Sequence, residues 1–161
     1  MKSRITPSIV TALAATAITI GFAMSAPYEK GQQVEPFTAK DQHEQAFSFK
    51  PMETRYLLVS HDMETGKKAN VTLTALGKDY LGSKKAVYMA NIFGMPGIGR
   101  MFAMPKMKKY NHRIILADEA ALIAHFPAQA GKVTVLTLSG GKIQSVAYWT
   151  PGAEGVESYM K

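Results

Sequence analysis

The sequence predicts a single α/β domain, a mixed sheet flanked by helices, and three observations carry that reading. Short apolar runs bounded by polar residues alternate with stretches of helical period, which calls for strands joined through helices and a mainly parallel centre. The chain then closes on two apolar runs around the pair Gly140-Gly141, an antiparallel hairpin that makes the sheet mixed. Residues 27 to 161 give length for one core and leave no room for a second.

In chain order, residues 1–26 read as an export signal. Lys2 and Arg4 make a positive start, an uncharged apolar run extends from Ile9 to Met24, and the small residues Ser25 and Ala26 close it. The run is slightly short for a membrane span of ~20 residues, and no basic stop-transfer cluster follows. Cleavage after Ala26 or Ser25 leaves an exported, periplasmic domain of about residues 27–161 with no membrane span. No cysteine stands at the cleavage point, which closes the lipoprotein route. Losing Lys2 and Arg4, in a stretch without acids, lowers the formal charge from +7 to +5. That balance favours anionic surfaces at long range, and a solvated basic surface accounts for it as well, since net charge speaks to solubility more than to function.

Residues 27–36, with Pro27, Gly31 and Pro36, form a lead-in. Phe37, Phe47 and Phe49 flank the polar Lys40-Asp41-Gln42-His43-Glu44, which predicts a hairpin around a solvent-exposed turn holding Asp41 and His43. Tyr56-Leu57-Leu58-Val59 is short and apolar, as a strand buried on both faces requires. Beyond Asp62 the period changes: Ala69, Leu73, Leu76 and Tyr80 recur at helical spacing, with Gly82 where the helix ends and Asp62 or Thr65 able to cap its start. A second buried strand follows at Ala86 to Ala90. Gly94-Met95-Pro96-Gly97 then leads into a helix near Ile98 to Met104, with Pro105 ending or kinking it. His112 to Leu116 reads as a strand, Glu119 to Phe126 as a short helix, Lys132–Leu138 and Lys142–Tyr148 as the closing hairpin, and Ala153 to Met160 as a terminal helix. This order describes a thioredoxin-like arrangement.

A family likeness enters on particular residues. The stretch Ala86-Val87-Tyr88-Met89-Ala90-Asn91-Ile92-Phe93-Gly94-Met95-Pro96, followed by Phe102-Ala103-Met104-Pro105-Lys106-Met107, resembles a group of poorly characterised bacterial periplasmic proteins with thioredoxin-like folds. Asp41-Gln42-His43 before Phe47, and Val133-Thr134-Val135-Leu136 with Gly140-Gly141, match the same group. The resemblance covers nearly the whole mature chain and implies a thioredoxin-like fold with no established activity. Members are sometimes labelled FAD/FMN-containing dehydrogenases. Here no Gly-x-Gly-x-x-Gly follows a strand and the domain is small for a bound dinucleotide, so the sequence does not support flavin. Members usually carry an acid where this chain has Asn91. Redox-active thioredoxins carry a cysteine pair just after the second strand, where this chain has His61-Asp62-Met63-Glu64-Thr65-Gly66, and a cis-proline before the penultimate strand, where the nearest proline is Pro127. Fold alone does not fix function.

The chain has no cysteine, which excludes thiol oxidoreductase, thiol peroxidase and zinc–thiolate chemistry. No catalytic motif emerges. Methionine is the unusual feature: Met89, Met95, Met101, Met104 and Met107 lie close together, the last three spaced by three. Thioethers are soft Cu(I) ligands, and His61, Met63 or His112 could complete a site, with Met101, Met104, Met107 and His61 the leading candidates. The same spacing is what one stripe of adaptable core filling or an interaction surface also wants. Arg100, Lys106, Lys108, Lys109 and Arg113 surround Tyr110 and His112 as an anion-binding group or a solvated loop. Nucleic acid is not expected, since no recognised reading element is present. His61-Asp62 falls at a strand end before a helix, a usual place for function in α/β sheets. Ser60 and His61 point to opposite faces of a strand and make no dyad. His125 reads as packing, and Ile92 with Phe93 as helix cover or an exposed contact patch.

These residues point to a redox-inactive binding or interaction module without a required cofactor, taking an envelope protein or a small ligand. Its expected surface is the segment Asn91 to Met107 with the nearby strand end: His61, Asp62, Met95, Pro96, Arg100, Met101, Met104, Lys106 and Met107. The alternative is a periplasmic Cu(I)-binding protein using methionine and histidine.

Overall fold

A computed structural model describes residues 26–161, so the export signal read on residues 1–26 lies outside the described residues apart from Ala26. Among the described residues no helix is long and apolar enough to cross a membrane.

The strands are β1 (Thr38–Asp41), β2 (Ala46–Ser48), β3 (Tyr56–Ser60), β4 (Ala86–Asn91), β5 (Ile115–Ala117), β6 (Val133–Ser139) and β7 (Lys142–Trp149). The helices are α1 (Met63–Ala75), α2 (Tyr80–Ser83), α3 (Gly97–Met107) and α4 (Ala120–Ala124). All seven strands join one sheet in the order β2-β1-β5-β4-β3-β6-β7. β4 runs parallel to both β3 and β5, and every other neighbouring pair is antiparallel. The sheet is therefore mixed around a parallel centre, as the element order requires.

Strand alternation divides the core into two layers. Tyr56 and Leu58 of β3, Tyr88 and Ala90 of β4, and Val133 and Val135 of β6 pack with Ala69 and Leu73 of α1, Leu81 of α2 and Met107 of α3. Leu57, Val59, Met89, Ile115 and Leu136 face the other way, onto Val34, Phe49 and Phe126, with Leu122 of α4 beside them. Every residue of β3 is buried. Met89 thus fills the core on the face away from α3. The closing hairpin turns on Gly140 (φ +55°) and Gly141 (φ +76°), angles that a side chain would strain.

Four expectations are corrected. The first helix stops at Ala75 and does not reach Gly82. Gly77 adopts φ +95° and donates to the Thr74 carbonyl, which ends α1, and Tyr80 and Gly82 belong to the separate α2. The strand expected from His112 begins at Ile115, because the Gln42 side chain occupies the ladder before it: its oxygen accepts from Ile114 N (2.8 Å) and its amide donates to the His112 carbonyl (2.8 Å). The terminal helix is only a 3₁₀ turn at Val156–Ser158. There Pro151, Gly152 and Gly155 punctuate the chain, and the Trp149 indole binds the Glu154 carbonyl at 2.8 Å. Asp41 is buried rather than exposed, with only His43 of that pair outside. Its carboxylate accepts from the backbone N–H of His43 (2.9 Å) and Gln45 (3.0 Å), closing the β1–β2 turn, and from Arg113 Nε at 2.9 Å. Burial pushes its pKa up, but those donors outweigh it and hold the group below the usual carboxylate range.

Candidate binding cleft at the strand ends

A cleft of about 430 Å³ opens where β3 and β4 end, between the first turns of α1 and the length of α3. Such strand-end crevices are where open α/β sheets place their ligands. Its floor is Ser60, Ala90 and Ile92. One wall is α1, through Asp62, Met63, Glu64, Gly66 and Lys67. The other is Met95 with α3, through Gly99, Phe102, Lys106 and Met107, and Tyr110 lies beyond them.

The α1 wall is fixed by its cap. Asp62 Oδ1 accepts from Thr65 N at 2.8 Å and Oδ2 from the Thr65 hydroxyl at 2.7 Å, so both oxygens serve the helix start. Burial works to raise the Asp62 pKa, but the Thr65 donors hold it below the ordinary value. Gly66 lets α1 approach the sheet closely. A Cβ there would stand 3.2 Å from Ser60 Oγ and 3.6 Å from the Tyr88 hydroxyl. Those two hydroxyls bond each other at 2.9 Å beneath the helix, and burial raises the Tyr88 pKa far above the usual phenol. Ser60 is thereby a structural donor–acceptor in the floor.

The α3 wall hangs from the loop after β4. Phe93 N donates to Asn91 Oδ1 at 2.9 Å, and Asn91 Nδ2 donates to the His61 carbonyl at 3.1 Å, tying the ends of β3 and β4 together. Arg100 donates to the carbonyls of Ile92 (3.0 Å) and Met95 (3.3 Å) and forks onto Asp118 just past β5. The guanidinium hydrogen bonds hold the Asp118 carboxyl below its usual range. Pro105 sits inside α3 without ending it; lacking an N–H, it leaves the Met101 carbonyl without its helical donor.

The nine residues expected at the surface divide among several environments. Asp62, Met95, Lys106 and Met107 line the cleft. Pro96 is exposed at the α3 start, and Met101 is 64% exposed on the outer side of that helix. Arg100 and Met104 line a second groove with Leu116 and Asp118, on the other side of α3. His61 points to the opposite sheet face, where its Nε2 lies 3.0 Å from Thr134 Oγ1. The Thr134 hydroxyl donates to the Pro127 carbonyl (2.5 Å), so His61 Nε2–H is the donor to Thr134, and burial lowers the His61 pKa. Met101, Met104, Met107 and His61, the leading copper candidates, therefore do not share one cleft.

The expected basic group is likewise divided. Arg100 pairs with Asp118 and Arg113 with Asp41, while His112 is 2% exposed. His112 Nε2–H donates to Asn70 Oδ1 at 2.9 Å, its Nδ1 accepts from the Thr74 hydroxyl at 3.3 Å, and burial pushes its pKa down to about 4. His125 stacks on Tyr28 with ring centroids 5.3 Å apart. Gly66, Lys67 and Phe102 were not singled out by sequence. Lys67 follows Met63 by four residues on one helix face, the one local signal that joins two of the missed or secondary positions.

No family model and no curated protein matches the chain. Solved structures do. A Chlorobium tepidum protein assigned as the thiol:disulfide interchange protein DsbE aligns with a TM-score of 0.57 at 9% identity, covering 82% of this chain and 94% of its own. The thioredoxin domain of a thiol-disulfide oxidoreductase from Bacteroides vulgatus gives 0.53 at 15% identity, covering 83% of this chain and 99% of its own. A thio-disulfide isomerase from Thermus thermophilus gives 0.51 at 15%, covering 82% and 94%. The fold is thioredoxin-like. With no cysteine, the chain itself cannot carry out thiol–disulfide exchange.

Proposed function

We propose that this protein is an exported binding module that keeps a thioredoxin-like fold without its thiol chemistry, and that the cleft between α1 and α3 is its working site. The observation that carries this reading is the cleft itself. It is a concavity of about 430 Å³ with largely apolar walls, at the strand ends where the fold's redox members carry their cysteine pair. Its size falls within the ~300–1,000 Å³ of small-molecule sites. Its rim leaves large apolar groups in solvent, with Met63 56% and Phe102 63% exposed. Folding alone gives no reason to leave such groups out, whereas covering them on binding is favourable.

The test is a titration of the mature protein, purified from the cell envelope, with a neutral solvatochromic dye such as Nile red. Saturable binding that weakens in Phe102→Ala and Met95→Ala, with the fold intact by circular dichroism, supports the reading. Affinity indifferent to both changes overturns it. Native mass spectrometry of the same material should give the mass of residues 27–161, and a mass retaining residues 1–26 overturns export with cleavage.

A second reading, Cu(I) binding, is favoured by one observation: three methionines, Met63, Met95 and Met107, line a single cleft. It predicts one copper per chain under reducing conditions, lost in Met63→Leu and Met107→Leu. An unloaded chain under those conditions sinks it.

A further inference from the structure

We infer that the cleft selects an anionic amphiphile, an aliphatic chain ending in a free carboxylate. The inference rests on the cleft being the working site and adds the chemical class of its ligand.

Most polar groups in the walls and floor already have a partner. Ser60 is engaged with Tyr88, Asp62 spends both oxygens on Thr65, and Asn91 uses its oxygen on Phe93 N and its amide on the His61 carbonyl. Glu64, also in the lining, is 70% exposed and ion-paired at 3.9 Å with Lys68, which lies outside the lining, so its charge is offset from beyond the cleft. Three groups are left over. Lys67 on α1 and Lys106 on α3 stand on the two opposing walls, and neither makes an ion pair among the described residues. Tyr110 stacks on His112 at 5.9 Å while its hydroxyl bonds nothing within the described residues. Ammonium groups only donate, and a phenol donates readily. The leftover capacity of the site is therefore for an acceptor, and the two positive charges favour an anionic one.

The apolar part of the ligand follows from the rest of the lining. Met63, Met95 and Met107 present unbranched, deformable thioether chains, and Phe102 and Ile92 extend this largely apolar surface. A flexible aliphatic chain matches walls of that kind. A peptide segment would bring backbone N–H donors to a floor where the Ser60 and Asn91 side-chain oxygens are already used, and each donor left unpaired away from solvent would cost ~1–3 kcal/mol. The occupant is thus an acyl-chain carboxylate rather than a peptide.

The experiment compares three probes of the same chain length on the mature protein by calorimetry, each below its aggregation concentration: decanoate, decanol and decyltrimethylammonium. Decanoate should bind about tenfold more tightly than decanol, the cationic probe should be weakest, and added salt should narrow the gap. In the double variant Lys67→Gln/Lys106→Gln, both sites solvent-facing, the preference of decanoate over decanol should vanish with the fold intact by circular dichroism. Equal affinity for the three probes, or a preference that survives the double variant, overturns the inference. So does tighter binding of a short peptide ending in an apolar residue with a free carboxylate. Nile red binding without any decanoate preference sinks the ligand assignment and leaves the cleft standing; loss of binding to dye and decanoate alike sinks both.

Discussion

Arg100 and Asp118 form a forked guanidinium–carboxylate pair that joins α3 to the end of β5. The same guanidinium collects the Ile92 and Met95 carbonyls, so one side chain ties the loop after β4 and the α3 wall of the cleft to the end of β5. Lysine cannot reproduce a planar fork. Both Arg100→Ala and Arg100→Lys should therefore speed amide hydrogen exchange across residues 97–107 while leaving α1 protected. Exchange unchanged in α3 would show that packing of Met104 and Met107 suffices to hold the helix.

Asp62 serves the helix start, and its replacement tests that role. Asp62→Ala should destabilise the protein by about 1 kcal/mol, and Asp62→Ser, which can still cap, by less. Urea denaturation of the two variants checks the difference. A loss of equal size in both would mean that the carboxylate acts through something other than the cap.

Gly66→Ala opposes two effects. Alanine favours the helix by about 1 kcal/mol, but its Cβ would press at 3.2 Å on a Ser60 hydroxyl pinned by Tyr88. Overpacking of this kind costs about 1–3 kcal/mol, so a net destabilisation is expected, measurable by urea denaturation. Adding Ser60→Ala should recover part of it by removing the contact.

His112 makes stability depend on pH. Its folded pKa of about 4 lies below the 6.5 of the free side chain. The contribution is therefore fully present above 6.5 and is lost as pH falls through that window toward 4. The groups around it are Asn70, Thr74, Tyr88 and Tyr110, with no carboxylate among them to stabilise the charge. About 2 kcal/mol should be gone by pH 5. His61, also lowered by burial, adds in the same direction. Denaturation midpoints between pH 7.5 and 5 test this, and in His112→Gln the slope should shrink to the part due to other groups.

The Tyr80 hydroxyl is buried without a hydrogen-bond partner among the described residues. Removing it costs no bond and ends a desolvation penalty. Tyr80→Phe should leave stability unchanged or raise it by up to ~1 kcal/mol. A clear loss by urea denaturation would reveal an ordered water on that hydroxyl.

Much of the secondary structure was legible because its causes are local. The all-apolar Tyr56 to Val59, the capping Asp62 and the Gly140-Gly141 turn each act through their own few residues. Two of the errors fell where a distant side chain intervened. Gln42 took the backbone partners that His112 to Ile114 would have offered a strand, and the Asp41 turn became a buried anchor because Arg113 reaches it. The methionine stripe failed for a geometric reason. A three-residue step falls about 60° short of a full helical turn, so Met101 and Met107 differ by about 120° around α3. That rotation leaves Met101 in solvent, turns Met104 to the second groove and brings Met107 to the core.

The sequence by itself determined the α/β class, the hairpin that makes the sheet mixed and, through its lack of cysteine, the absence of thiol chemistry. Each depends on composition or on patterns a few residues long. Only the tertiary structure decided that Lys67 and Lys106 face one cleft, that His61 turns to the other sheet face and that Arg100 is committed to Asp118. Those relationships join elements far apart in the chain. They depend on how whole helices rotate and pack against the sheet, which a periodic pattern within one segment does not encode.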